Sequence, residues 1–138
     1  MALTAKLQFG DNHAGRYNKE YLLVDCRCSF RRSHNDLRPD GLAYCDKIEV
    51  SLVAPGKEDM TLHNWFIEED ELSGRIVFDL SSVSPDSGNA DKTLFFEDAR
   101  CFELEECYDK DTRFRRLLKL TFESDWITMD GIDYKKQW

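Results

Sequence analysis

Apolar and polar residues alternate with a period of two along nearly the whole chain, which leaves room for only one helix. Leu3, Ala5, Leu7 and Phe9 alternate with Thr4, Lys6 and Gln8, the pattern of a strand with one buried face. Leu22, Val24, Cys26, Cys28 and Phe30 repeat it against Asp25, Arg27 and Ser29, and the apolar set is expected to face the core. Ile48, Val50, Leu52 and Ala54 form a third strand against Lys47, Glu49 and Ser51. Ile76, Phe78 and Leu80 then turn inward, and Thr93–Asp98 returns across the connection SPDSGNAD (84–91) as the second arm of a hairpin. Cys101 and Cys107 lie on the opposite parity to Phe102 and Leu104, which predicts a bulge or two-sided burial near Ala99. Asp109-Lys110-Asp111 reads as a turn. Beyond it Phe114, Leu118, Leu120 and Phe122 share a face, opposite Arg113, Arg115, Lys119 and Thr121, and a last segment runs from Trp126 to about Tyr134.

Two stretches break the alternation. Residues 31–44, RRSHNDLRPDGLAY, are polar and carry Pro39 and Gly41, so they read as a long loop. Behind Pro55-Gly56, Leu62, Trp65 and Phe66 stand at i, i+3, i+4, which predicts a helix over about 59–69 with Asp59 or Thr61 as its cap. Glu68 to Glu71 oppose the dipole at its C-terminal end, so docking of Leu62, Trp65 and Phe66 must hold it. Seven or eight strands, one helix and no βαβ alternation point to an antiparallel barrel or sandwich. The 138 residues suit one domain, 1–138, that buries roughly two-thirds of its unfolded surface.

Charge and motifs narrow the function. The net charge of −8 repels a phosphate backbone, which excludes nucleic acid and anionic membrane as natural partners. The start, MALTAKLQF, alternates where a signal peptide needs an unbroken apolar run, so the expectation is synthesis in the cytoplasm, with no membrane-inserted segment. No G-x-S-x-G, P-loop or G-x-G-x-x-G is present, and no catalytic set, metal site or cofactor is expected. His13, His34 and His63 read as surface residues. Cys26, Cys28, Cys45, Cys101 and Cys107 read as structural thiols, since Cys26 and Cys28 share a strand face with apolar residues.

KEYLLVDCRCSF (19–30), the polar loop, LHNWFIEE (62–69), SGRIVFDL (73–80), FFEDARCFELEE (95–106) and RRLLKLTFES (115–124), in this order and spacing, resemble the tube-forming protein of bacterial type VI secretion, the Hcp or TssD family, in its Bacteroidetes version. The matching positions are Tyr21, Cys26, Phe30, Leu62, Trp65, Gly74, Phe78, Asp98, Ala99 and Cys101. The resemblance implies a mainly β fold, an antiparallel two-sheet β-barrel with one short helix, and no enzyme activity. It also implies hexameric rings that stack into a hollow tube, which is driven out by a contractile sheath. Implied partners are other copies of the chain, effector proteins, a spike tip and sheath or baseplate components, and expulsion needs no signal peptide. A ring requires one patch of each subunit to meet a different patch of the next. The subunit-interface candidates are Arg31, Arg32, His34, Arg38, Asp40, Arg113, Arg115 and Arg116. The competing reading is a small-ligand-binding β-barrel whose aromatics line a cavity.

Overall fold

The computed structural model describes residues 4–34, 39–79, 91–108 and 116–135. In chain order the elements are β1 (Thr4–Asp11), β2 (Arg16–His34), β3 (Pro39–Val53), α1 (Thr61–Ile67), β4 (Glu71–Asp79), β5 (Asp91–Tyr108), β6 (Arg116–Glu123), β7 (Trp126–Met129) and β8 (Ile132–Lys135). Leu3, Leu80, most of the 84–91 connection, the 109–111 turn and Phe114 lie outside the described residues.

All pairings are antiparallel. β1 lies between β4 and β2, β3 between β2 and β6, and β5 joins β6 back to β4. The sheet therefore closes into the expected barrel, one continuous surface curled until its walls face each other. β5 is long enough to carry β6 along Arg100–Tyr108 and β7 along Leu94–Glu97 of the same edge. At the break between them Ser124 is buried; its hydroxyl reaches the Glu97 carbonyl and accepts from the Trp126 N–H.

Bulges decide which side chains point inward. On β2, Leu23 pairs with Leu52 and Asp25 with Ser51, so Val24 is an extra residue that switches the strand's parity. Tyr21 and Leu23 are buried before it, and the half-buried Cys26 and Cys28 pack against the core after it. Leu22 and Val24 thus face outward, 47% and 43% exposed, contrary to the single apolar face expected. Phe30 is also exposed, although its ring lies 4.7 Å from that of Tyr134. The bulge expected near Ala99 is present. β5 gains a residue at Asp98, whose φ is +51°, and again at Phe102, which turns outward. Gly74 is buried opposite Phe9, and a Cβ there would overlap the Gln8 carbonyl oxygen, so only glycine lets β4 lie against β1.

The core is aromatic and filled. Phe9 meets Tyr21, Trp65 and Phe96 edge-on, and Phe122 meets Trp65 and Phe96 at 5.1 and 5.2 Å between ring centroids. Trp65 and Leu62 enter this cluster from α1, but Phe66, one turn-step off their stripe, is 37% exposed and does not dock as expected. The N-cap is Met60, without a side-chain cap, and not Asp59 or Thr61 as expected; Asp59, one residue earlier, accepts from the Thr61 N–H at 3.0 Å and from the Tyr21 hydroxyl at 2.8 Å.

Candidate assembly surface

The segment expected to be a loop is largely strand. Phe30 pairs with Cys45, Arg31 with Tyr44, Arg32 with Ala43 and His34 with Pro39, so β2 and β3 continue past the barrel as a two-stranded arm. Pro39 and Gly41 are tolerated there because a ribbon of two strands has open outer edges, where a missing N–H or a missing side chain costs little.

Each interface candidate takes its place relative to this arm. Arg31 and Arg32 are exposed on it, with the Arg31 Nε 3.3 Å from Asp46. His34 and Asp40 contribute backbone to β2 and β3. Arg38, Arg113 and Arg115 lie outside the described residues. Arg116 stands apart from the arm on β6 and is engaged within its own subunit, 2.8 Å from the Glu106 carboxylate. The same carboxylate accepts from the His63 ring at 2.9 Å and from the Tyr108 hydroxyl at 2.8 Å. Its pKa is held down to about 2, by Arg116 first and then by His63 and Tyr108. His63 is accordingly half-buried in an α1–β5–β6 clamp and is not the free surface histidine expected.

Among the described residues several strand edges lack a ladder partner, among them the outer edges of β3 over 39–47 and of β8, and two more belong to the long strands β2 and β5. β1 pairs with β2 only over Arg16–Leu23, leaving one edge of Val24–His34 bare. β4 pairs with β5 only as far as Arg100, leaving one edge of Cys101–Tyr108 bare. Such edges invite pairing with another chain, and because they belong to different parts of one subunit, they suit a head-to-tail contact. Exposed Val24 and Phe102 stand on these edges, so apolar surface accompanies the free backbone. The sequence signalled only the second, through the break in parity near Ala99; on β2 the apolar run from Leu22 to Phe30 conceals the inserted Val24.

A concave polar face spans β2, β3, β6 and β5. Cross-strand rows place Asp25, Ser51, Lys119 and Glu105 in line, and Arg27, Glu49, Thr121 and Glu103 beside them, around a hollow of about 280 Å³. Among the described residues no three His, Cys, Asp or Glu side chains gather as a metal ion requires. All five cysteines are free thiols. A hydrogen bond with Cys28, together with burial, pushes the Cys26 thiol up. The same bond and the charge of Lys92 lower that of Cys28 against its burial. Burial pushes Cys101 up to about 11.

The Hcp (TssD) family model, described as hemolysin coregulated protein Hcp, matches residues 1–138. No curated protein matches the sequence. Among solved structures the chain is similar to Hcp1 from Flavobacterium johnsoniae, with a TM-score of 0.69, 18% identity and coverage of 99% of this chain and 100% of that one. It is also similar to the secreted protein Hcp3 from Pseudomonas aeruginosa, with a TM-score of 0.58, 14% identity and 99% coverage of each chain. A chain of the anti-feeding prophage baseplate, solved with six-fold symmetry, matches with a TM-score of 0.52, 11% identity and 92% coverage of each. At these identities the structural likenesses speak for the barrel, and the family match over every residue speaks for descent: the chain belongs to the Hcp (TssD) family, the tube proteins of type VI secretion.

Proposed function

We propose that this chain is a tube subunit that acts by assembly alone, closing into six-membered rings that stack head to tail into a hollow tube. The observation that carries this reading is that two long strands of the closed ring β1-β2-β3-β6-β5-β4 keep open edges, Val24–His34 on β2 and Cys101–Tyr108 on β5. The tube carries effector proteins and a spike tip and is expelled by a contractile sheath. The filled core argues against the ligand-binding alternative, since Trp65, Phe96 and Phe122 occupy the barrel's interior instead of walling a cavity. Negative-stain microscopy with light scattering tests the proposal. Rings with a central hole and a mass near six subunits are expected; a monomer at every concentration and salt would overturn it.

A further inference from the structure

Helix α1 carries large apolar side chains on two sides. Leu62 and Trp65 are buried beneath it. On the side away from them Met60 and Ile67, seven residues and so about two turns apart, stand in one line, 47% and 66% exposed, with exposed Phe66 beside them. Scattered singly, such residues need no explanation; three on adjoining positions form one patch, the mark of an interaction site. The acidic run adjoins Ile67 directly. Glu68, Glu69, Asp70 and Glu71 are all exposed, and among the described residues none of them has a Lys, Arg or His within ion-pair distance. Arg100 is the cross-strand partner of Glu71, yet its guanidinium is turned to Glu123 and Asp125, at 3.4 and 3.3 Å. These carboxylates also oppose the dipole at the C-terminal end of the helix.

Apolar side chains bordered by unneutralised carboxylates select a partner of matching make-up. A bare apolar patch would accept any apolar segment, but the acidic border favours one that also carries Lys or Arg and turns away one that carries Asp or Glu. Nucleic acid and anionic membrane are repelled by the same charge. A second copy is disfavoured as the cover, since each copy brings a net charge of −8 to the contact. The patch is also small against the roughly 20–30 residues a side of a stable interface, so it suits a contact that forms and releases readily.

We propose that the outer face of α1, Met60, Phe66 and Ile67 bordered by Glu68, Glu69, Asp70 and Glu71, docks a segment of another protein in which Lys or Arg alternates with apolar residues. The proposal does not depend on ring formation. Its test follows the full chain by NMR, with the methyl groups of Met and Ile labelled. Three synthetic hexapeptides are added in turn: one alternating Arg and Leu, one with Glu in place of Arg, and one with Gly in place of Leu. Selective movement of the Met60 and Ile67 signals by the Arg-Leu peptide is expected. Its affinity should fall about tenfold in Ile67→Ser, and likewise when Glu68→Gln, Glu69→Gln and Asp70→Asn are combined. Glu103→Gln with Glu105→Gln, on the concave face, should change nothing. An equal response to the Arg-Gly peptide, no response at all, undiminished binding in Ile67→Ser, or movement spread equally to Met129 and Ile48 would overturn the docking face. Melting curves check that each variant folds, and Phe66→Ser replaces Ile67→Ser if that variant does not. If Ile67→Ser changes the sedimentation of the protein alone, a second copy covers the face and the foreign partner is refuted.

Discussion

The indole Nε1 of Trp65 donates to the Ala99 carbonyl at 2.9 Å inside the core. Helix α1 is thus fastened to β5 at Ala99, the residue that follows the Asp98 bulge. A seven-residue helix is marginal in water by itself, so this residue supplies what local propensity cannot. Trp65→Ala is expected to cost about 3–5 kcal/mol by urea denaturation. Trp65→Phe keeps much of the packing but leaves the Ala99 carbonyl unpaired, for a loss of about 1–3 kcal/mol.

Glu106 predicts an acid-sensitive clamp. Its pKa lies at about 2, below the ordinary 4.5, so its contribution to stability is complete above 4.5 and is lost as the pH falls toward 2. Glu106→Gln should lower the melting temperature at pH 7 and flatten the acid limb between those values. An NMR titration placing the Glu106 carboxyl near its ordinary value would remove the clamp from the account.

Gly74→Ala should damage the barrel. The added carbon meets main chain of β1, which cannot rotate away, so the cost is about 3 kcal/mol, at the top of the overpacking range. Loss of soluble protein or a sharply lower melting temperature is the expected result.

Replacing residues 31–44 by a short Gly-Ser turn should leave the melting temperature nearly unchanged and weaken assembly. The barrel's closing pairs lie elsewhere, and the last arm residues that pack on the core, Cys26, Cys28 and Cys45, are retained. Tubes of normal length from this variant would show that the arm is dispensable.

Thiol chemistry gives an ordered labelling experiment. Cys28, lowered by its bond with Cys26 and by Lys92, should react with iodoacetamide before Cys26, which the same bond raises. The buried Cys45 and Cys101 should label only on unfolding. Peptide mapping by mass reads the order, and early labelling of Cys101 would contradict its burial.

Much of this fold was legible because a period of two survives wherever a strand runs straight. Leu7 and Phe9, Ile48, Val50 and Leu52, and Leu118, Leu120 and Phe122 all lie inside as their spacing dictates. The parity argument failed on β2, where Val24 is inserted and Leu22 moves to the outside. It succeeded on β5, where Cys101 betrayed the bulge by breaking the pattern. On α1 the stripe of Leu62 and Trp65 was sound, but three apolar positions described a wider face than a short helix can bury. The arm was hidden by Pro39 and Gly41, because turn signals do not distinguish a loop from the open edge of a ribbon.

β2 runs without interruption from the turn at one end of the subunit to the arm beyond the other. A pull or push delivered to the arm is therefore carried by covalent bonds through the barrel wall, parallel to the strand. Under such a load the β1–β2 and β2–β3 ladders are sheared, with their hydrogen bonds strained together, instead of being peeled one at a time. Resistance of the subunit to such a pull is therefore set by the length of a single strand.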